Sequence, residues 1–259
     1  MGLSKEQIKN IEEVLRKSLR YKFQSYKPES DFMPFHTRLL GKDRMALFSF
    51  IQSLNTNFGT SIFEPVALAL AKNNFKMAKS KATAGELISE GAQFKIQKIM
   101  DNLITASIAP NKTKETEAIR KVCQKGAMQK VKPTRVDIML QDKKDNIYLF
   151  DLKTAKPNIG NFKEFKRTLL EWCAAFLASS PNAKVHTLIA IPYNPYEPKP
   201  YNRWTMRGML DLNKELKVAN EFWDFLGGKG AYNDLLDCFE RIGIELRPEI
   251  DEYFKKFKK

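Results

Sequence analysis

The spacing of the hydrophobic residues first changes along the chain near residue 130. Upstream the apolar positions recur at helical intervals. Ser4 and Gln7 have the spacing of a capping box, and Ile8, Ile11, Leu15 and Leu19 follow on one stripe, which predicts an amphipathic helix over 5 to about 22. "YKPESDFMP" breaks it. Met45, Phe48, Ile51 and Leu54 predict a second helix that ends near "NTNFG", and a third begins at "TSIFEPVALALA". A fourth, broken or kinked, covers about 85–105, and "TKETEAIRKVCQKG" is a short fifth with a glycine stop.

Beyond that point the period shortens to two. Residues 134–140 and 146–153 read as strands joined by the polar "QDKKDN", an antiparallel hairpin. "NFKEFKRTLLEWCAAFLAS" returns to helical spacing with Phe165, Leu169, Trp172 and Phe176 on one stripe, and "VHTLIAIPY" is a third strand. The loop "NPYEPKPYNRW" precedes a helical region from about 208 to 226 that stops at Gly227–Gly228. A last helix covers about 230–242, and a basic amphipathic segment closes the chain. Trp172, Trp223 and Phe225 lie on helical stripes and are expected in the core. With no repeat or low-complexity linker, 1–259 reads as a single α/β domain, mostly helical over 1–128 and strand-bearing from 129.

Charge interrupts the hairpin at chosen places. Side chains alternate along a strand, so Ile147, Leu149, Asp151 and Lys153 share a face. Asp151 and Lys153 emerge side by side where the apolar run ends, and the hairpin allows Asp137 to meet them. Two adjacent carboxylates repel, which raises one pKa. A divalent cation between them removes that conflict. A lysine on the same face can orient a water or stabilise developing phosphate charge. This is a donor set for phosphodiester hydrolysis. Asp-x13-Asp-x-Lys is weak as a bare pattern, and the other reading makes both aspartates solubilising charges of an edge strand.

Composition narrows the partners. The net charge is +14, from 44 Lys+Arg against 30 Asp+Glu, and the basic residues are spread through the chain. That favours a folded basic cleft for a polyanion such as nucleic acid over a disordered arm, with a merely solvated lysine surface as the alternative. Only His36 and His186 are present, so a metal here needs oxygen ligands, which favours an ion like Mg²⁺. Cys123, Cys173 and Cys238 have no metal-ligand spacing and read as reduced thiols of a cytoplasmic protein. No apolar run is long enough to span a bilayer, there is no signal-peptide core, and "MGLSKE" has Glu where a myristoylation signal takes Ser or Thr, so no membrane partner is expected.

"TRVDIML…YLFDLKT" resembles the active-site hairpin of the PD-(D/E)XK nucleases. The resemblance implies a mixed β-sheet flanked by helices, with Asp137 and Asp151 as catalytic metal ligands for Mg²⁺ and Lys153 as the catalytic lysine. The motif's proline is replaced by Val136, with Pro133 a few residues earlier. "NRWTMRGMLD…NEFWDFLGGKGAYNDLLDCF" resembles the distal part of type II restriction endonucleases, in particular the TdeIII-type group, which is associated with cutting GGNCC. That implies double-stranded DNA as substrate, a homodimer matched to a palindrome, and a cognate DNA methyltransferase as genetic partner. Glu64 matches the family's further acidic residue from an upstream helix; Ser61-x-x-Glu64 is equally a capping box, with Pro65 in the first turn.

In the loop at 192–207, Arg203 and Arg207 are the leading base readers, with Lys199, Tyr201 and Asn202 beside them; the alternative is contact with phosphate alone. Lys156, Asn158 and Lys163 are expected on phosphates. Lys255, Lys256, Lys258 and Lys259 can be a solvated tail. Two other functions fit these residues. One is a structure-specific repair or junction-resolving nuclease of the same fold. The other is a non-catalytic basic nucleic-acid-binding module.

Overall fold

A computed structural model describes residues 2–25, 33–131, 135–153, 155–157, 159–201, 206 and 208–255. Helix α1 (Lys5–Ser25) opens with the expected capping box: the Ser4 N–H donates to Gln7 Oε1 at 3.0 Å and the Gln7 N–H to Ser4 Oγ at 3.2 Å. After α2 (Pro34–Leu40), α3 (Lys42–Asn57) runs through a π-helical turn, Phe58–Phe63, into α4 (Glu64–Ala71). The break expected near "NTNFG" is therefore absent, and two predicted helices form one continuous path.

Strand β1 (Met77–Thr83) follows, in sequence that predicts no strand. The fourth predicted helix divides into β2 (Leu87–Ser89) and α5 (Glu90–Ile104), because the Ser89 side chain accepts from the Ala92 N–H at 3.1 Å and starts the helix there. Helix α6 (Lys112–Arg120) is capped by Asn111, and the chain leaves it through Gly126 at φ +81°. Among the described residues β3 (Met128–Lys130) pairs only with β2.

The hairpin forms as expected: β4 (Arg135–Gln141) is antiparallel to β5 (Ile147–Leu152). Helix α7 (Phe162–Ser179) then crosses to β6 (Val185–Ile191), parallel to β5. The helix expected over 208–226 resolves into α8 (Leu212–Glu215), β7 (Leu216–Val218) and α9 (Asn220–Gly227), because β6 leaves an edge on which three residues of β7 pair in parallel. Helix α10 (Ala231–Lys255) continues through Pro248, well past the expected end near 242. It packs along α1, where Arg16–Glu245, Arg20–Glu249 and Arg241–Glu12 pair across the seam.

The result is a mixed five-stranded sheet, order β1-β4-β5-β6-β7, between two helical layers. One core joins β5 and β6 residues such as Leu149 and Ile189 to α5 and α7; the other joins Phe150 and Leu188 to α1, α4, α9 and α10. Trp172 and Trp223 are buried in these cores, as expected. Cys123, Cys173 and Cys238 are free and buried. Among the described residues no helix is long and apolar enough to cross a membrane.

Candidate active site

The pairing Ile138↔Phe150, continued by one step, sets Asp137 opposite Asp151 at the open end of the hairpin. Here β4 changes phase: Val136 and Met139 pack into the core under α7, while Ile138 and Leu140 pack into the opposite one. Asp137 sits at that change. Its Oδ2 accepts the Leu152 N–H at 2.8 Å, so a carboxylate stands where a ladder bond would run. Asp151 is buried, with 6% of its surface exposed. Lys153 Nζ lies 2.7 Å from Asp151 Oδ1 and 4.5 Å from the centre of the Phe165 ring. Its backbone N–H donates to the Ala190 carbonyl at 3.0 Å, which fixes the stem of the lysine against β6.

Burial pushes the Asp151 carboxyl above the usual carboxylate range; Lys153 pulls against that, and contact with Asp137 adds to the rise. Two carboxylates in contact, one of them desolvated, fit a hard divalent cation held by oxygen.

Glu64 is also buried, and Arg135 Nη2 approaches its Oε2 at 3.4 Å. Burial raises its pKa first, and the Asp137 charge raises it further, against Arg135 and Lys81. The capping reading of Glu64 is corrected. Phe63 before it is already helical, at φ −68° and ψ −39°, and no side chain caps α4. The π-helical turn feeds α4 directly, so no exposed N–H groups await a cap. The carboxylate instead faces the Asp137 end of the hairpin. Glu64 and Asp151 each interact with Asp137, although among the described residues no three acidic, histidine or cysteine side chains gather as a metal cage.

Of the expected DNA-contacting residues, Arg203, Arg207, Asn202 and Asn158 lie outside the described residues. Tyr201 donates its hydroxyl to the Ala155 carbonyl at 3.1 Å and packs its ring near Tyr196. Lys156 Nζ lies 5.6 Å from the centre of the Tyr196 ring. These contacts tie the loop after β6 to the segment just beyond Lys153. Lys163, in the first turn of α7, and Lys199 are exposed. Local spacing did not single out Arg135 or Lys81, and it placed Phe165 only on an apolar stripe. Arg135 carried a signal, standing two positions before Asp137 on the same strand.

A separate cleft of about 530 Å³ opens at the other end of β5 and β6. Lys112, Lys184, Lys214 and Lys217 line it with Tyr148 and His186, whose rings stack at 4.8 Å. None of the predicted site residues among the described ones lines it.

A mixed sheet between helical layers, with acidic residues and a lysine at the end of a central hairpin, is the restriction-endonuclease-like fold class. The family model described as "Type II restriction endonuclease, HinfI" matches residues 3–243, and the chain belongs to that family. It is similar to the type II restriction enzyme MjaII of Methanocaldococcus jannaschii, 28% identical over 98% of this chain and 74% of the relative. It is also similar to HgiCII and HgiEI of Herpetosiphon aurantiacus. HgiCII is 24% identical over 86% of this chain and 81% of its own length; HgiEI is 25% identical over 88% and 83%. The protein is thus a type II site-specific deoxyribonuclease.

Proposed function

We propose that this endonuclease uses Mg²⁺ to cut both strands of DNA at a short G/C-rich palindrome such as GGNCC. It acts as a cytoplasmic homodimer, with a cognate methyltransferase protecting the host's own sites. The observation that carries this reading is the convergence of Asp137, Asp151 and Lys153 at the end of the β4–β5 hairpin. The surplus of 14 positive charges supports a polyanionic substrate. Membership of a restriction family favours sequence-directed cutting over a structure-specific nuclease or a non-catalytic binder.

Asp137 and Asp151 would hold the cation, with Glu64 as a third acidic contributor. When bound, Mg²⁺ supplies a Lewis acid for the phosphate and lowers the pKa of a water. Lys153, beside Asp151, orients the attacking water and offsets charge that develops on the phosphate. Arg203 and Arg207, with Lys199, Tyr201 and Asn202, are proposed to read bases from the loop that Tyr201 ties to Ala155. Lys156, Asn158 and Lys163 are proposed to hold the phosphate backbone that follows.

Digestion of a plasmid of known sequence with Mg²⁺, followed by sequencing of the ends, tests the whole reading. Discrete fragments with uniform termini are expected; a smear or an uncut plasmid would sink it. Glu64→Ala and Glu64→Gln should fold normally and cleave about 10–100-fold more slowly, since each removes one acidic contributor but leaves the hairpin intact. Unchanged single-turnover cleavage in both variants removes Glu64 from the site.

A further inference from the structure

The site has a third strand. β1 pairs with β4 on the side away from β5, with Ser80↔Ile138 and Ala82↔Val136. Between those pairs Lys81 stands directly across from Asp137. The row across three strands is thus Lys81, Asp137, Asp151, with Lys153 two residues further along β5. Lys81 also has a φ of +55°, in the left-handed region that residues with a side chain rarely adopt inside a strand. Such backbone strain gathers at functional sites, where the surrounding structure holds it in place.

β1 is an edge strand, and edge strands carry lysines simply to block pairing with other chains. Lys79 fits that description: it is exposed, lies across from the apolar Met139 and shows no unusual backbone. Lys81 is exposed too, but its cross-strand neighbour and its backbone differ. Its neighbour is a candidate metal ligand, and its charge acts on Glu64 from the β1 side, as Arg135 does from β4. A residue kept only for solubility needs no left-handed backbone, and glycine there would remove the strain. Among the described residues no salt bridge holds the exposed ammonium group, which can meet a phosphate arriving at the open end of the hairpin.

We propose that Lys81 is a second active-site lysine that contacts the DNA phosphate backbone on the far side of Asp137 from Lys153. The inference rests on the reading of Asp137 and Asp151 as the cleavage site.

The test compares Lys81→Ala, Lys81→Arg and Lys81→Gly with Lys79→Ala and Asp137→Asn. Two quantities are measured: single-turnover plasmid cleavage in Mg²⁺, and the salt dependence of DNA binding without metal. Lys81→Ala and Lys81→Gly should cleave about 10–100-fold more slowly, and their slope of log binding constant against log salt should fall by about one. Lys81→Gly should melt at or above the wild-type temperature, because glycine relaxes the backbone, so its slow cleavage cannot be misfolding. Lys81→Arg should recover most of the rate, and Lys79→Ala should stay within about twofold of wild type. Cleavage within twofold by Lys81→Gly, with Asp137→Asn inert, overturns the role of Lys81 and leaves the site standing. Wild-type cleavage by Asp137→Asn overturns the site and this inference together.

Discussion

Asp151→Asn is expected to lower Mg²⁺-dependent DNA cleavage by about 10³-fold or more while the protein stays folded. The amide keeps the shape of the side chain but loses the charge that would hold a cation, and it weakens the 2.7 Å pairing that orients Lys153. Stability should move the other way. The Asp151 pKa is raised in the folded state by burial, so the folded protein takes up this proton more readily than the unfolded chain does. Its raised pKa therefore costs stability at every pH above the unfolded carboxyl pKa, neutral pH included. Asparagine removes that cost and the repulsion from Asp137. The variant should melt at or above the wild-type temperature without metal, whereas added Mg²⁺ should raise the melting temperature of wild type alone. Cleavage above a tenth of the wild-type rate, or a preserved Mg²⁺ shift in the variant, would remove Asp151 from the metal site.

The hairpin that carries Asp151 was legible because β4 and β5 are central strands. Their apolar residues must alternate to fill two cores, and charges that break the alternation stand out. β1 was not legible for the opposite reason. An edge strand with Lys79 and Lys81 outward and small residues between them has little to bury, so "MAKSKAT" carries no apolar period. β7 is three residues long and owes its form to the exposed edge of β6, a long-range cause that leaves no local trace. Glu64 shows how a correct spacing can mislead. Ser61 and Glu64 stand three apart as a capping box requires, but caps form only where helical N–H groups lack partners, and the π-helical turn already supplies that backbone. The acid's partner, Arg135, is 71 positions away in sequence. The last helix, expected to end near 242, runs on through Pro248 because its packing against α1 outweighs one missing backbone hydrogen bond.

The charges least visible in the sequence are those buried deepest, and they carry the largest expected effect on stability. Lys166 has no exposed surface, and its Nζ lies 2.5 Å from Glu115 Oε2 and 2.7 Å from Glu215 Oε2. Lys112 closes the group, 3.1 Å from Glu215 Oε1 and 2.5 Å from Thr187 Oγ1. The four charges join α6, α7, β6 and α8 beneath the strand that supports Lys153. Burial alone would push Glu215 up, but Lys112 and Lys166 more than reverse this and leave it below the usual carboxylate range. Its pairing therefore stabilises the fold above the unfolded pKa and is lost as pH falls through the folded one. Lys166→Ala leaves two buried carboxylates facing one lysine, at a cost of about 3–5 kcal/mol, which should lower the melting temperature by roughly 6–20 °C. The deficit should also shrink in acid. Without Lys166 the folded-state pKa of Glu215 rises, so its protonation relieves the variant at pH values where wild type is still fully paired. Replacing Lys166 and Glu215 together with methionine removes a cation and an anion at once and should restore part of the loss. Melting curves of the three proteins across acidic and neutral pH decide it. A Lys166→Ala deficit that stays constant with pH would mean that lost packing, and not unpaired charge, is what the substitution exposes.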